Sequence, residues 1–188
     1  MKGTFEVYNS KNPFIQILAR LFLKNISCLL YSLKTETILD IGCGEGDIMY
    51  RLKLKKTVGI DNDKIRIHFA KRCGCHCIVG DIYSLPIQGK AFKIIIATEI
   101  LEHLDNYNKA LNEIRKVCQQ CCLISVPYEP FFQVGNFLRG KHLRRLGKTP
   151  AHVNFWRKQE IVKILKAHFK IVQFRLSFPW LLFLCEVR

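Results

Sequence analysis

Residues 38–46 read Ile38-Leu39-Asp40-Ile41-Gly42-Cys43-Gly44-Glu45-Gly46, an apolar strand carrying one acid that runs straight into three alternating glycines. Glycines at this spacing remove the Cβ atoms that would hold a ligand off the backbone, and they reach turn conformations closed to other residues. The stretch therefore predicts a nucleotide-cofactor loop at the carboxyl end of a strand. A dinucleotide fingerprint spaced G-x-G-x-x-G needs glycine at 47, where this chain has Asp47. A pyrophosphate in such a loop would meet Asp40, Glu45 and Asp47, whereas a cofactor with a cationic or hydroxylated end suits all three acids.

Working outward, Thr57-Val58-Gly59-Ile60 is a second β-branched run, and it ends at Asp61, 19 residues beyond Gly42. An acid there can accept both hydroxyls of a ribose. A third run, His76-Cys77-Ile78-Val79, leads into Gly80-Asp81-Ile82, which places a carboxylate and an aliphatic side chain where an adenine could be read. Each strand end offers one acid, a set that suits S-adenosylmethionine.

The stretches ILDIGCGEG, VGIDND, GDIYSLP, FKIIIATEILEHL and CLISVP span about residues 37–127, with weaker similarity through HVNFW at 152–156. Together they resemble the class I S-adenosylmethionine-dependent methyltransferases of the small "methyltransferase type 11" group. The resemblance implies a doubly wound, Rossmann-like α/β sheet of seven strands with the last strand antiparallel, in a three-layer α/β/α sandwich. It implies S-adenosyl-L-methionine as cofactor and S-adenosyl-L-homocysteine as product, held by Asp40, Gly42, Cys43, Gly44, Gly46, Asp61, Asn62, Asp81, Ile82 and Thr98. Within that set the resemblance puts Asp61 on the ribose and Asp81 with Ile82 at the adenine.

Thr98-Glu99-Ile100-Leu101-Glu102-His103 follows the fourth predicted strand, at the end where the transferred methyl should lie. Glu99, Glu102 and His103 are the candidate catalytic residues. With His152 they make two carboxylates and two imidazoles, a donor set for a divalent ion such as Mg²⁺, Mn²⁺ or Zn²⁺. The pattern E-x-x-E-H with a later histidine is similar to two branches of the family, the small-RNA 2′-O-methyltransferases and the ubiquinone-pathway O-methyltransferases. Metal binding, base or hydrogen-bonding roles without metal, and a structural role are the three readings of this set. A sulfonium methyl is already activated, so a base matters only for a hydroxyl acceptor, and a histidine can take a proton near neutrality. This favours an oxygen acceptor over nitrogen or carbon; O-methylation of a small or lipid-linked molecule is the leading reading, and an RNA-directed 2′-O reaction is the alternative. A catalytically silent cofactor-binding accessory protein is a third reading, and a nicotinamide oxidoreductase a distant fourth.

At 188 residues the chain reads as one domain. Its parts are a helical cover (1–36), a cofactor-binding core (37–127), a substrate lid (128–156), and a last helix with a strand pair (157–188). Helices are expected near 45–53, 62–72, 105–117 and 157–168, and strands near 37–41, 57–60, 76–79, 92–98 and 121–126, with two more on either side of Pro179. Asn12-Pro13 caps an earlier helix carrying Phe14, Ile17, Leu18, Leu21 and Phe22. In the lid, Phe131, Phe132 and Phe137 mix with Arg144 and Arg145, an amphipathic and basic composition suited to acceptor contact.

The formal net charge of +15 is uneven, with fifteen basic and four acidic residues after position 105. Such a field favours an anionic partner, either a membrane surface or RNA. No apolar run approaches the roughly 20 residues of a transmembrane segment, and no secretory leader is evident. Nine cysteines, one of them inside the glycine loop, suit a reducing compartment. The expected location is cytoplasmic, peripheral to the membrane if the acceptor is a lipid. Cys73, Cys75 and Cys77 invite a zinc site, but packing thiols are the simpler account.

Overall fold

The computed structural model describes residues 8, 10–33, 36–129, 131 and 152–187. Strand β1 (Ile38–Ile41) is buried along its whole length and lies between β2 (Thr57–Asp61) and β4 (Phe92–Thr98), parallel to both. Beyond β2 lies β3 (Cys77–Val79), and beyond β4 lies β5 (Cys118–Pro127), again parallel. The sheet closes with β6 (Phe169–Ser177) and β7 (Trp180–Val187), giving seven strands in the order β3-β2-β1-β4-β5-β7-β6. Because β7 runs antiparallel to both β5 and β6, it alone opposes the rest.

The alternation of side chains along each strand explains the layers. Ile38, Ile94, Ile96, Leu123 and Leu182 join one buried cluster, whereas Leu39, Ile95, Ile124 and Leu181 join another. Strands buried on both faces read as continuous apolar runs, as a parallel sheet sandwiched by helices requires. The first cluster is covered by α1 (Pro13–Leu29), through Ala19, Phe22, Ile26 and Leu29. The second is covered by α4 (Tyr107–Val117) and α5 (Lys158–His168), through Leu111, Ile114, Ile161 and Leu165. Burying a side chain such as Phe22 is worth about 1.5–3 kcal/mol before chain entropy is counted. Asn12 caps α1 by accepting from the Phe14 and Ile15 amides at 2.9 and 3.4 Å, as its place before Pro13 predicts.

Helix α2 (Asp47–Arg51) is shorter than expected, because Gly46 enters it in the left-handed region at φ 81° and Lys53 leaves it at φ 49°. Helix α3 (Lys64–Arg72) begins after Asp63, whose Oδ1 accepts from Ile65 at 2.9 Å and Arg66 at 3.3 Å. The fifth strand corrects the sequence reading. Cys118, expected in a connection between a helix ending at 117 and a strand starting at 121, is already extended at φ −84°, ψ 129°, and pairs with Phe92, so β5 begins three residues early. All nine cysteines are free thiols.

Candidate functional site

The glycine loop leaves β1 and folds back onto β2. The Gly42 and Cys43 amides both donate to the Ile60 carbonyl, at 2.7 and 3.1 Å. Gly42 has φ 72°, and a Cβ there would lie 2.5 Å from Ile100 Cδ1, so both the conformation and the space demand glycine. Gly44, at φ 54°, donates its amide to Asp61 Oδ2 at 2.9 Å, while Asp61 Oδ1 accepts from Asp63 at 2.9 Å. The carboxylate at the end of β2 is thus locked against the loop. Glu45 and Asp47 have cations of their own, Arg66 at 3.7 Å and Arg51 at 3.0 Å.

Asp40 is 1% exposed, and its Oδ2 has no hydrogen-bond partner among the described residues. Burial foremost, then the nearby Cys77 and Asp61, pushes its carboxyl up to about 8. An orphaned buried carboxyl beneath a loop stripped of Cβ atoms fits a ligand that brings positive charge or donors. Asp81 lies just beyond β3, bridged to Ser84, with its Oδ1 accepting from the Tyr83 amide at 2.9 Å. Ile82 is buried in the main core, Asn62 is exposed, and Thr98 is buried at the end of β4 opposite Ser125.

After β4 the chain turns sharply. Glu99 takes φ 54°, a left-handed conformation rare outside glycine and concentrated at functional sites. Its Oε1 accepts from Ser125 Oγ at 3.0 Å and its Oε2 from Trp180 Nε1 at 2.6 Å. A short 3₁₀ turn (Leu101–His103) follows, and the Glu102 carbonyl accepts from Val153 and Asn154 at 2.8 and 3.1 Å. Asn154 also donates its side chain to the Leu101 and Leu104 carbonyls, at 3.3 and 2.7 Å. These bonds bring His152 to Glu102 and His103 across fifty residues of chain. Ligand atoms of Glu102, His103 and His152 lie within 4.8 Å of one another, and the two imidazoles meet edge to face with centroids 5.1 Å apart.

Both Glu102 oxygens are buried without a hydrogen-bond partner among the described residues, and burial, then Glu99 and Glu129, raises this carboxyl well above its ordinary range. Glu99 is pushed up to about 8 by burial, against the opposing bonds from Ser125 and Trp180. Glu99 and Glu102 look equivalent in the sequence but differ here. Glu99 is engaged with the sheet, while Glu102 shares its cluster with the two histidines.

Glu129, absent from the sequence reading, is buried and binds His152 Nδ1 through Oε1 at 2.7 Å. The signal was its rarity, since it is one of four acids after residue 105. Of the expected lid residues, Phe131 is half exposed and packs on Tyr128 and Phe178, at centroid distances of 4.9 and 5.3 Å. Phe132, Phe137, Arg144 and Arg145 lie outside the described residues. A cavity of about 950 Å³ lined by Lys53, Lys55, Lys56 and His76 opens at the amino ends of the strands. That is the opposite end from the glycine loop, and open α/β sheets bind ligands at the carboxyl ends.

The methyltransferase domain family matches residues 32–162. The chain belongs to this methyltransferase family. An uncharacterized protein of Methanocaldococcus jannaschii is 33% identical over 131 residues, 62% of this chain and 56% of that protein. The chain spans about half the length of the curated relatives it matches. A Thermotoga maritima structure described as an S-adenosylmethionine-dependent methyltransferase, possible histamine N-methyltransferase, superposes over 100% of both chains with TM-score 0.72 and 16% identity. The magnesium protoporphyrin IX methyltransferase of Synechocystis PCC 6803, solved with bound S-adenosylhomocysteine, superposes over 97% of this chain and 91% of its own with TM-score 0.73 and 14% identity. At such identities these structures share the methyltransferase fold, and no described helix of this methyltransferase is long and apolar enough to cross a membrane.

Proposed function

We propose that this methyltransferase moves the methyl group of S-adenosylmethionine onto a hydroxyl oxygen of a small or lipid-linked acceptor held at Glu102, His103 and His152. The convergence of those three side chains beyond the end of β4, with both Glu102 oxygens buried and unsatisfied among the described residues, carries the proposal. Asp61 accepts from the ribose hydroxyls, Asp81 and Ile82 meet the adenine, and Asp40, Asn62, Thr98 and the glycine loop complete the cofactor cleft. The cofactor, when bound, supplies a sulfonium methyl that needs no further activation.

The protein's work is alignment and proton removal. Near-attack geometry of roughly 3–3.5 Å between acceptor oxygen and methyl carbon supplies much of the rate. His103 takes the acceptor's proton, with Glu102 beside it. Alternatively, Glu102, His103 and His152 are the residues that would hold a divalent ion, with Glu129 fixing His152 from behind and His103 then serving as a ligand in place of the base. Such an ion would supply a Lewis acid that makes the acceptor hydroxyl easier to ionise. Histidines that bind metals ordinarily give their other nitrogen to a carboxylate, and the 2.7 Å contact with Glu129 has that form.

Incubation of the purified chain with methyl-labelled S-adenosylmethionine and cell extract, with and without EDTA, tests the proposal. Label is expected in the organic-soluble fraction; a fall with EDTA would assign the cluster to an ion, and an unchanged signal would leave His103 as the base. Label confined to RNA would replace the acceptor class, and label in no fraction would favour a cofactor-binding accessory role.

A further inference from the structure

Helix α1 is apolar on two sides. One side, with Ala19, Phe22, Ile26 and Leu29, is spent on the sheet. Yet Phe14, Ile17 and Leu21 remain 61%, 54% and 47% exposed. Spaced three and four residues apart, they form one stripe along the outer surface, where a helix facing water would carry polar side chains. From Glu6 to Glu36 the sequence holds Lys11, Arg20, Lys24 and Lys34 and no acid between. Lys11, Arg20 and Lys24 are exposed beside the stripe.

We infer that α1 docks lengthwise on an anionic phospholipid bilayer, with Phe14, Ile17 and Leu21 in the interface and Lys11, Arg20 and Lys24 against the headgroups. An apolar stripe whose charged neighbours among the described residues of the helix are cations has the composition of helices that lie in the membrane plane. Each cation near such a surface contributes about 1 kcal/mol. At 17 residues the helix lies along the bilayer and does not cross it. A second copy is a poor occupant of the same face, because it would set these cations against their own equivalents.

The stripe also runs toward the candidate site. Asn25, one turn beyond Leu21, donates to Ser177 Oγ at 3.0 Å. The next residue, Phe178, is exposed and meets Phe131 at 5.3 Å. Phe131 packs on Tyr128, the neighbour of the Glu129 that holds His152. The docked face therefore borders the rim of the site, so that a lipid-linked acceptor reaches it from the bilayer. That choice of acceptor rests on the function proposed above, whereas the docking does not.

Flotation of the full chain with vesicles of phosphatidylcholine, alone or mixed with phosphatidylglycerol, tests the inference without any methyl transfer. Partition into the anionic vesicles is expected, with Ile17→Glu and Leu21→Glu each lowering it about tenfold or more. The pair Arg20→Glu and Lys24→Glu should lower it about fivefold or more per charge, and added salt should mimic the pair. All four positions are exposed, so unchanged thermal melts would assign the losses to docking. The inference is overturned if the wild-type chain ignores anionic vesicles or if the variants partition as it does. It is equally overturned if sedimentation shows a dimer that Leu21→Glu splits, which would give the stripe to a second copy. A chain that binds vesicles and methylates nothing would retain the docking and end the reading of the site.

Discussion

Glu129 and His152 are joined at 2.7 Å between Oε1 and Nδ1, although one follows β5 and the other precedes α5. The bond commits Nδ1 to the carboxylate, so that an ion at this cluster would be met by Nε2. A ring held in this way is oriented before any ligand arrives.

Replacing Glu129 by Gln keeps a hydrogen-bonding group and removes the charge. The variant is expected to bind Mn²⁺ about 10–100-fold more weakly than the wild type, the usual loss when an outer carboxylate of a metal-ligating histidine is altered. Titration followed by the electron paramagnetic resonance of free Mn²⁺ measures this directly. Equal affinity in the two proteins would remove Glu129 from the ion site.

Trp180 anchors Glu99 from the start of β7. In Trp180→Phe the tilted ring contact with Phe22, at 4.7 Å between centroids in the native chain, is largely kept, while Glu99 Oε2 loses its donor. Leaving that buried oxygen unsatisfied is expected to cost about 1–3 kcal/mol. For a chain of this size the melting temperature should fall by about 2–4 °C per kcal/mol, as read by calorimetry.

The buried carboxyls also set a pH dependence. Burial pushes the Asp40 carboxyl up to about 8 from an ordinary 3.8, so in that interval the native state keeps a proton that the unfolded chain has already lost. The stability this contributes is complete below the ordinary value and is lost as pH rises toward 8. The unfolding free energy of the cofactor-free chain, read from urea titrations, should therefore fall between about pH 5 and about pH 8, by at most about 1.4 kcal/mol per pH unit for one such group. Asp40→Asn has no proton to lose and should show a shallower fall. It should not be flat, because Glu99 is raised with the same sign.

The parallel half of the sheet and its loop were legible because their signals are local. Ile38–Gly46 states the strand, the turn and the glycine requirement within nine residues, and the second run ends at Asp61 as read, where its carboxylate accepts from the Gly44 amide. The E-x-x-E-H turn was legible for the same reason. What the sequence could not separate was Glu99 from Glu102. The difference arises from register, because pairing of Thr98 with Ser125 and of Pro127 with Trp180 delivers two donors to Glu99 from strands distant along the chain. Glu129 was hidden likewise, since Pro127-Tyr128-Glu129-Pro130 reads as an interruption of the pattern until the Glu102 carbonyl has drawn residues 152–154 back to it. Cys118 was misplaced because a helix that passes into a strand without a loop leaves no turn residue to mark the boundary.

The most direct test of the account is the turnover of His103→Ala with labelled S-adenosylmethionine at saturating cofactor, measured against the wild-type chain on the acceptor fraction that the wild type labels. A loss of about 10²–10⁴-fold is expected, the usual contribution of a positioned base. Turnover equal to that of the wild type would contradict it and move the chemistry away from the Glu102, His103 and His152 cluster.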